Sequence, residues 1–137
     1  MSTILIVEDN IPFRESLKEM LLAHFPSVTI EEASDAIEAM KVVSATCPDL
    51  MFVDIRLPGE SGLELTRKVK QDYTEIAVIV ITNYDMTEYR EAARRYGAAH
   101  FVHKGSATRG EIISIVETHL RDSGGVTDGH KTVVCEE

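Results

Sequence analysis

Cysteine occurs only twice in the 137 residues, as Cys47 and Cys135, far apart in the chain. That spacing suggests neither a disulfide framework nor a paired-ligand metal motif, and a reducing cytoplasm is the expected setting. Positive charge is scarce, since 14 Lys and Arg against 23 Asp and Glu leave a formal net charge of −9. Neutralising phosphates takes clustered Lys and Arg, so neither nucleic acid nor an anionic membrane is an expected partner of this chain. No apolar run approaches membrane-spanning length. Residues 1–3 lead straight into an apolar stretch, without the basic segment and apolar core of a secretory leader. No internal repeat is apparent.

What the chain does have is apolar material, 44% of its residues, enough for one domain with a core that needs no metal or disulfide. Its central stretch is Leu50, Met51, Phe52 and Val53, four apolar residues without alternation, closed by Asp54. Such a run reads as a strand buried on both faces, as in a parallel sheet covered by helices. Residues 4–7 form a second run ending in Glu8 and Asp9, and residues 77–81 a third, closed by Thr82. Two weaker strands are expected over residues 28–33 and 100–103, the last followed by Lys104.

Helical signals lie between the strands. Asn10 caps a helix with Pro12 in its first turn and Phe13, Leu17, Met20 and Leu21 along one face. Asp35 and Glu38 are spaced as an acidic capping box, with Ile37, Met40 and Val42 or Val43 expected inward. A third helix begins near Ser61 or Gly62, and a fourth covers about residues 86–96 and stops at Gly97. Ser106 is the expected cap of the fifth, which carries Ile112, Ile113, Val116 and Leu120. The domain is expected over residues 1–122, with residues 123–137 a polar, disordered tail.

Strands alternating with helices give an α/β fold, a doubly wound (βα)5 sandwich. The two weak strands belong at the edges, which yields the flavodoxin-like order 2-1-3-4-5 and a switch point between strands one and three. Strand ends in such sheets carry the chemistry. Here one rim would bear Glu8 and Asp9, Asp54, Thr82 and Lys104. Three carboxylates within about 5 Å repel by roughly 3 kcal/mol per pair at an effective dielectric of 20. A hard cation resolves that repulsion, and an all-oxygen, part-hydrated site suits Mg²⁺. Lys104 and the Thr82 hydroxyl suit incoming phosphate oxygens, so the set fits phosphoryl transfer onto Asp54.

With those residues in that order, the chain resembles the receiver domains of two-component response regulators over about residues 3–122. Pro58 and Gly62 after Asp54, and Phe101 before Lys104, belong to the same pattern. The resemblance implies that Asp54 accepts phosphate from a sensor histidine kinase. It implies that Asp9, Asp54 and the Arg56 backbone carbonyl ligate Mg²⁺, with Glu8 acting through a metal-bound water. Thr82 and Lys104 would contact the phosphoryl group, and Phe101 would rotate when Thr82 moves. A downstream effector domain or protein, or a second copy of the chain, would read the switched surface. Asn83 stands where the family has a very small residue, and Gly105 where it has proline. A lysine followed by a small residue other than proline resembles members that carry a helix-turn-helix output domain. Arg56 and Tyr84 occupy positions that tune dephosphorylation in relatives.

Taken singly, each of these residues has an ordinary reading: strand-end acids, a turn aspartate, a surface lysine. Their joint placement on one rim is what favours the phosphoacceptor over the alternatives. A Mg²⁺-dependent aspartyl-phosphate phosphohydrolase needs another acid two residues after its nucleophile, where this chain has Arg56. A flavin carrier needs a phosphate-cradling loop after strand one, where Glu8 and Asp9 would repel the ligand. A phosphorylation-independent receiver-like module is the remaining alternative, raised by Asn83. The expectation is a switch rather than an enzyme. The five histidines show no ligand spacing and are expected at the surface or the core edge.

Overall fold

The computed structural model describes residues 2–125, with side chains described through residue 120. Its elements are β1 (Thr3–Val7), α1 (Ile11–His24), β2 (Thr29–Ala33), α2 (Ala36–Thr46), β3 (Leu50–Val53), α3 (Gly62–Asp72), β4 (Ala77–Thr82), α4 (Thr87–Arg95), β5 (His100–His103) and α5 (Arg109–Gly125). The sheet is parallel throughout and ordered β2-β1-β3-β4-β5, with the polar β2 and the short β5 at its edges, as expected.

Strand alternation sends successive side chains to opposite faces. Leu5, Val7, Met51, Val53 and Val78 therefore pack with Ala39, Val43, Leu65 and Val69 of α2 and α3. Ile4, Ile6, Leu50, Phe52, Ile79 and Ile81 pack with Leu17, Leu21, Ile112 and Val116 of α1 and α5. A smaller cluster of Ile55, Val80 and Ala93 holds Tyr89 and Phe101 between α4 and the sheet. Because both faces are covered, the central strands lack the polar alternation of a half-exposed sheet.

The caps explain where several helices start. Asn10 Oδ1 accepts from the Phe13 amide at 3.0 Å. Asp35 accepts from the Glu38 amide at 2.9 Å while Glu38 accepts from the Ser34 amide at 2.7 Å. Helix α5 differs from expectation. Thr108 and Glu111 form its reciprocal box, at 3.1 Å and 2.9 Å, and Ser106 pairs instead with His103 at 3.1 Å. The helix also continues through Gly125, past the expected limit at residue 122, and residues 126–137 lie outside the described part.

Two further expectations are corrected. Ile37 is 72% exposed, because α2 turns Ala36, Ala39 and Val43 to the sheet, a spacing of i, i+3 and i+7 that places Ile37 one residue off the stripe. Small alanines let the helix lie close to the strands. Cys47, expected to be unpaired, is disulfide-bonded. The other cysteine, Cys135, lies outside the described residues. No described helix is long and apolar enough to cross a membrane.

Candidate phosphoacceptor site

The rim is built by extending the sheet ladder one residue past the strands. The Glu8 amide donates to the Ala33 carbonyl at 3.0 Å, the Asp54 amide to the Val7 carbonyl at 3.1 Å, and the Lys104 amide to the Thr82 carbonyl at 2.8 Å. Register pairs Val7 with Val53 and Val53 with Val80, so these residues leave the sheet side by side. Glu8, Asp54 and Thr82 are buried, and Asp9 is exposed. Carboxylate oxygens of Glu8, Asp9 and Asp54 lie within 4.8 Å of one another.

Lys104 reaches into this cluster. Its Nζ stands 2.7 Å from Glu8 Oε1 and donates to Asp54 Oδ2 at 3.1 Å. The Phe13 ring flanks the ammonium at 4.4 Å, a cation–π contact that the sequence reading did not foresee. Burial alone would lower the Lys104 pKa, but the two carboxylates outweigh it and raise it. Burial raises that of Glu8, with Lys104 and the Asn10 amide opposing and the Asp54 charge adding to the rise. The acids are therefore not left to repel each other, since a lysine already compensates two of them.

Compensation is incomplete. Asp54 Oδ1 and Glu8 Oε1 are buried without a hydrogen-bond partner, the Glu8 atom having an ion-pair contact that lacks hydrogen-bond alignment. Buried carboxylate oxygens of which one, Asp54 Oδ1, has no hydrogen-bond partner fit a cation. Their all-oxygen character, with exposed Asp9 beside them, fits a hard, part-hydrated one such as Mg²⁺.

The loops supply the rest. Arg14, also unanticipated, donates to the Glu8 carbonyl at 2.8 Å and pairs with Glu32 at 2.9 Å, tying the loop after β1 to β2. After Asp54, the Gly62 amide donates to the Ile55 carbonyl at 2.9 Å. A Cβ on Gly62 would overlap the Asp54 carbonyl oxygen. Glycine is thus required for the close approach of α3 to the acceptor's backbone. Arg56 is exposed, and its guanidinium lies 4.2 Å over the Tyr84 ring, joining the loops after Asp54 and Thr82. Thr82 Oγ1 accepts from the Tyr84 amide at 3.2 Å. Phe101 is partly buried, with Arg90 4.8 Å over its ring and Arg90 paired to Asp85 at 2.5 Å.

Every expected site residue is accounted for: Glu8, Asp54, Thr82 and Lys104 at the strand ends, Asp9 at the entrance, Arg56 in the adjoining loop and Phe101 on the neighbouring strand. The histidines follow expectation, with His100 and His119 half-buried at the core edge. His100 and His119 face each other, with Nε2 atoms 3.2 Å apart.

Comparison with known proteins identifies the family. The family model for the response regulator receiver domain matches residues 4–117. Over 118 residues the chain is 30% identical to the response regulator MprA of Mycobacterium ulcerans, covering 86% of this chain and 50% of that protein. The chain thus spans about half the length of the curated relatives it matches. A CheY-like receiver domain from Methanospirillum hungatei JF-1 superposes with a TM-score of 0.83 at 24% identity, over 91% of this chain and 98% of the other. A LuxR-family two-component response regulator from Aurantimonas sp. SI85-9A1 does so at 0.80 and 28% identity, over 89% and 86%. Receiver domains generally bind Mg²⁺ at an acidic cluster of this kind, and they generally signal rather than catalyse. The chain belongs to the response regulator receiver domain family of two-component systems.

Proposed function

We propose that Asp54 is the phosphoacceptor of this receiver and that a sensor histidine kinase is its donor. In the transfer, an Asp54 carboxylate oxygen forms the new bond to phosphorus while the bond from phosphorus to the donor's imidazole nitrogen breaks. The departing imidazole takes up a proton. The observation that carries this reading is the division of labour on Asp54: Oδ2 is held by Lys104 and Oδ1 is buried with no hydrogen-bond partner.

Asp9, Asp54 and the Arg56 backbone carbonyl would hold Mg²⁺, with Glu8 reaching it through water. When bound, the ion supplies charge neutralisation for the transferring oxygens. Lys104 and the Thr82 hydroxyl bind the remaining phosphoryl oxygens, which makes the step one of positioning and electrostatics. Up to two added negative charges then pull on Thr82 and Lys104 and bias the loop after β4. Phe101, beside that loop in the α4 cluster, is the side chain that relays the change. The reader is an effector domain, an effector protein or a second copy of the chain. LuxR-family neighbours support an effector domain. The setting is cytoplasmic, where a histidine kinase would present its phosphoryl group.

Incubation with acetyl phosphate and Mg²⁺, followed by rapid intact-mass measurement, tests the reading. One phosphoryl group is expected on the wild type and none on Asp54→Ala. Equal labelling of both proteins would remove Asp54 from the role.

A further inference from the structure

His100 opens β5 and His119 lies on α5, both partly buried, at the end of β5 remote from Lys104. Their Nε2 atoms are 3.2 Å apart, their ring centroids 5.2 Å apart, and their planes cross at 82°. A head-on imidazole hydrogen bond of that N···N length would separate the centroids by about 5.5 Å. Two imidazoles sharing a tetrahedral ion at a Zn–N distance of about 2.05 Å would have nitrogens about 3.3 Å and centroids about 5.2 Å apart. The rings therefore converge at an angle that suits a shared ion as well as a bent hydrogen bond.

We propose that His100 and His119 form a two-imidazole site for a borderline divalent transition ion, of which Zn²⁺ is the representative, stapling β5 to α5. Imidazole nitrogen selects such ions over Mg²⁺, whose preference is for oxygen. Burial, and then the neighbouring His119, hold the His100 pKa below its ordinary value. Among the described residues no third His, Cys, Asp or Glu joins the pair, so water completes the coordination. The site is chemically distinct from the acidic rim and does not depend on the phosphoacceptor reading.

Calorimetric titration of the full chain with ZnCl₂ at pH 7.5, in excess Mg²⁺ to occupy the acidic cluster, is the test. One Zn²⁺ should bind per chain, with affinity falling at least about tenfold in His119→Gln and in His100→Gln. His24→Gln and His103→Gln should bind as the wild type does, and so should Asp9→Asn, which separates this site from the acidic one. Because a core-edge variant can lose its fold, ¹⁵N spectra of the wild-type imidazoles provide the independent reading. Zn²⁺ should move the Nε2 resonances of both His100 and His119. Resonances that stay in place, or zinc affinity unchanged in both glutamine variants, would overturn the site and leave a plain imidazole hydrogen bond.

Discussion

Lys104 stands closer to Glu8 than to Asp54, at 2.7 Å against 3.1 Å, so the rim's lysine is shared between two buried acids. Removing one member of a buried charge cluster leaves the others uncompensated, which costs about 3–5 kcal/mol. Lys104→Ala should lose stability on that scale in urea titrations at pH 7.5 without Mg²⁺. Added Mg²⁺ should restore part of it, because the ion takes over the neutralising role. A loss below about 1 kcal/mol would mean that the pair is no stronger than a surface one.

Mg²⁺ itself should raise the melting temperature in step with the logarithm of its excess over the dissociation constant. Asp9→Asn should abolish that rise. It should also stabilise the metal-free protein slightly, by less than about 1 kcal/mol, since Asp9 is exposed and its repulsion is screened. Calorimetric scans of both proteins with and without the ion check the pair of effects. A shift that survives in Asp9→Asn would move the ion elsewhere.

The loop carrying Glu8 and Asp9 has a pH dependence of its own. Glu32 is held below its ordinary pKa, first by the hydrogen bond from Lys18 at 2.8 Å, against burial, and then by Arg14. A carboxyl with a depressed folded-state pKa contributes stability that is present above its unfolded value, 4.5, and lost as pH falls through the folded one. Wild type should therefore exceed Glu32→Gln in stability at pH 7, and the gap should close on acidification below about 4.5. Since Arg14 also donates to the Glu8 carbonyl, Glu32→Gln should weaken Mg²⁺ binding as well. A gap that persists unchanged at pH 3 would show that Glu32 acts by packing.

These relationships differ in how far they can be read from the sequence. The buried runs and the polar residue closing each are local patterns, and parallel register converts them directly into a rim, so Glu8, Asp54, Thr82 and Lys104 were legible. Caps whose partners sit three residues away, such as Asn10 and Asp35, were legible for the same reason. Ile37 was misplaced because two apolar stripes one residue apart fit α2 equally well until tight packing selects alanine. Thr108 and Ser106 offer equivalent hydroxyls, and the reciprocal reach of Glu111 decides between them. Arg14, Phe13 and the His100–His119 pair act across 6 to 91 residues of sequence, where no periodicity reports them.

Two glycines after the acceptor separate backbone strain from lack of space. Gly59 has φ +80° with nothing within 4 Å of an added Cβ, so Gly59→Ala should cost about 1–2 kcal/mol of left-handed strain and leave Asp54 in place. Gly62 shows no left-handed φ, but an added Cβ would overlap the Asp54 carbonyl oxygen and crowd a Val53 methyl. Gly62→Ala must therefore push α3 off the end of β3, at about 1–3 kcal/mol or more for overpacking, and displace the acceptor's backbone as it does so. Both variants should melt lower than wild type. Only Gly62→Ala should lose phosphoryl uptake from acetyl phosphate at a temperature where circular dichroism shows it folded. If Gly59→Ala loses uptake equally, the turn's conformation rather than the close approach of α3 positions Asp54.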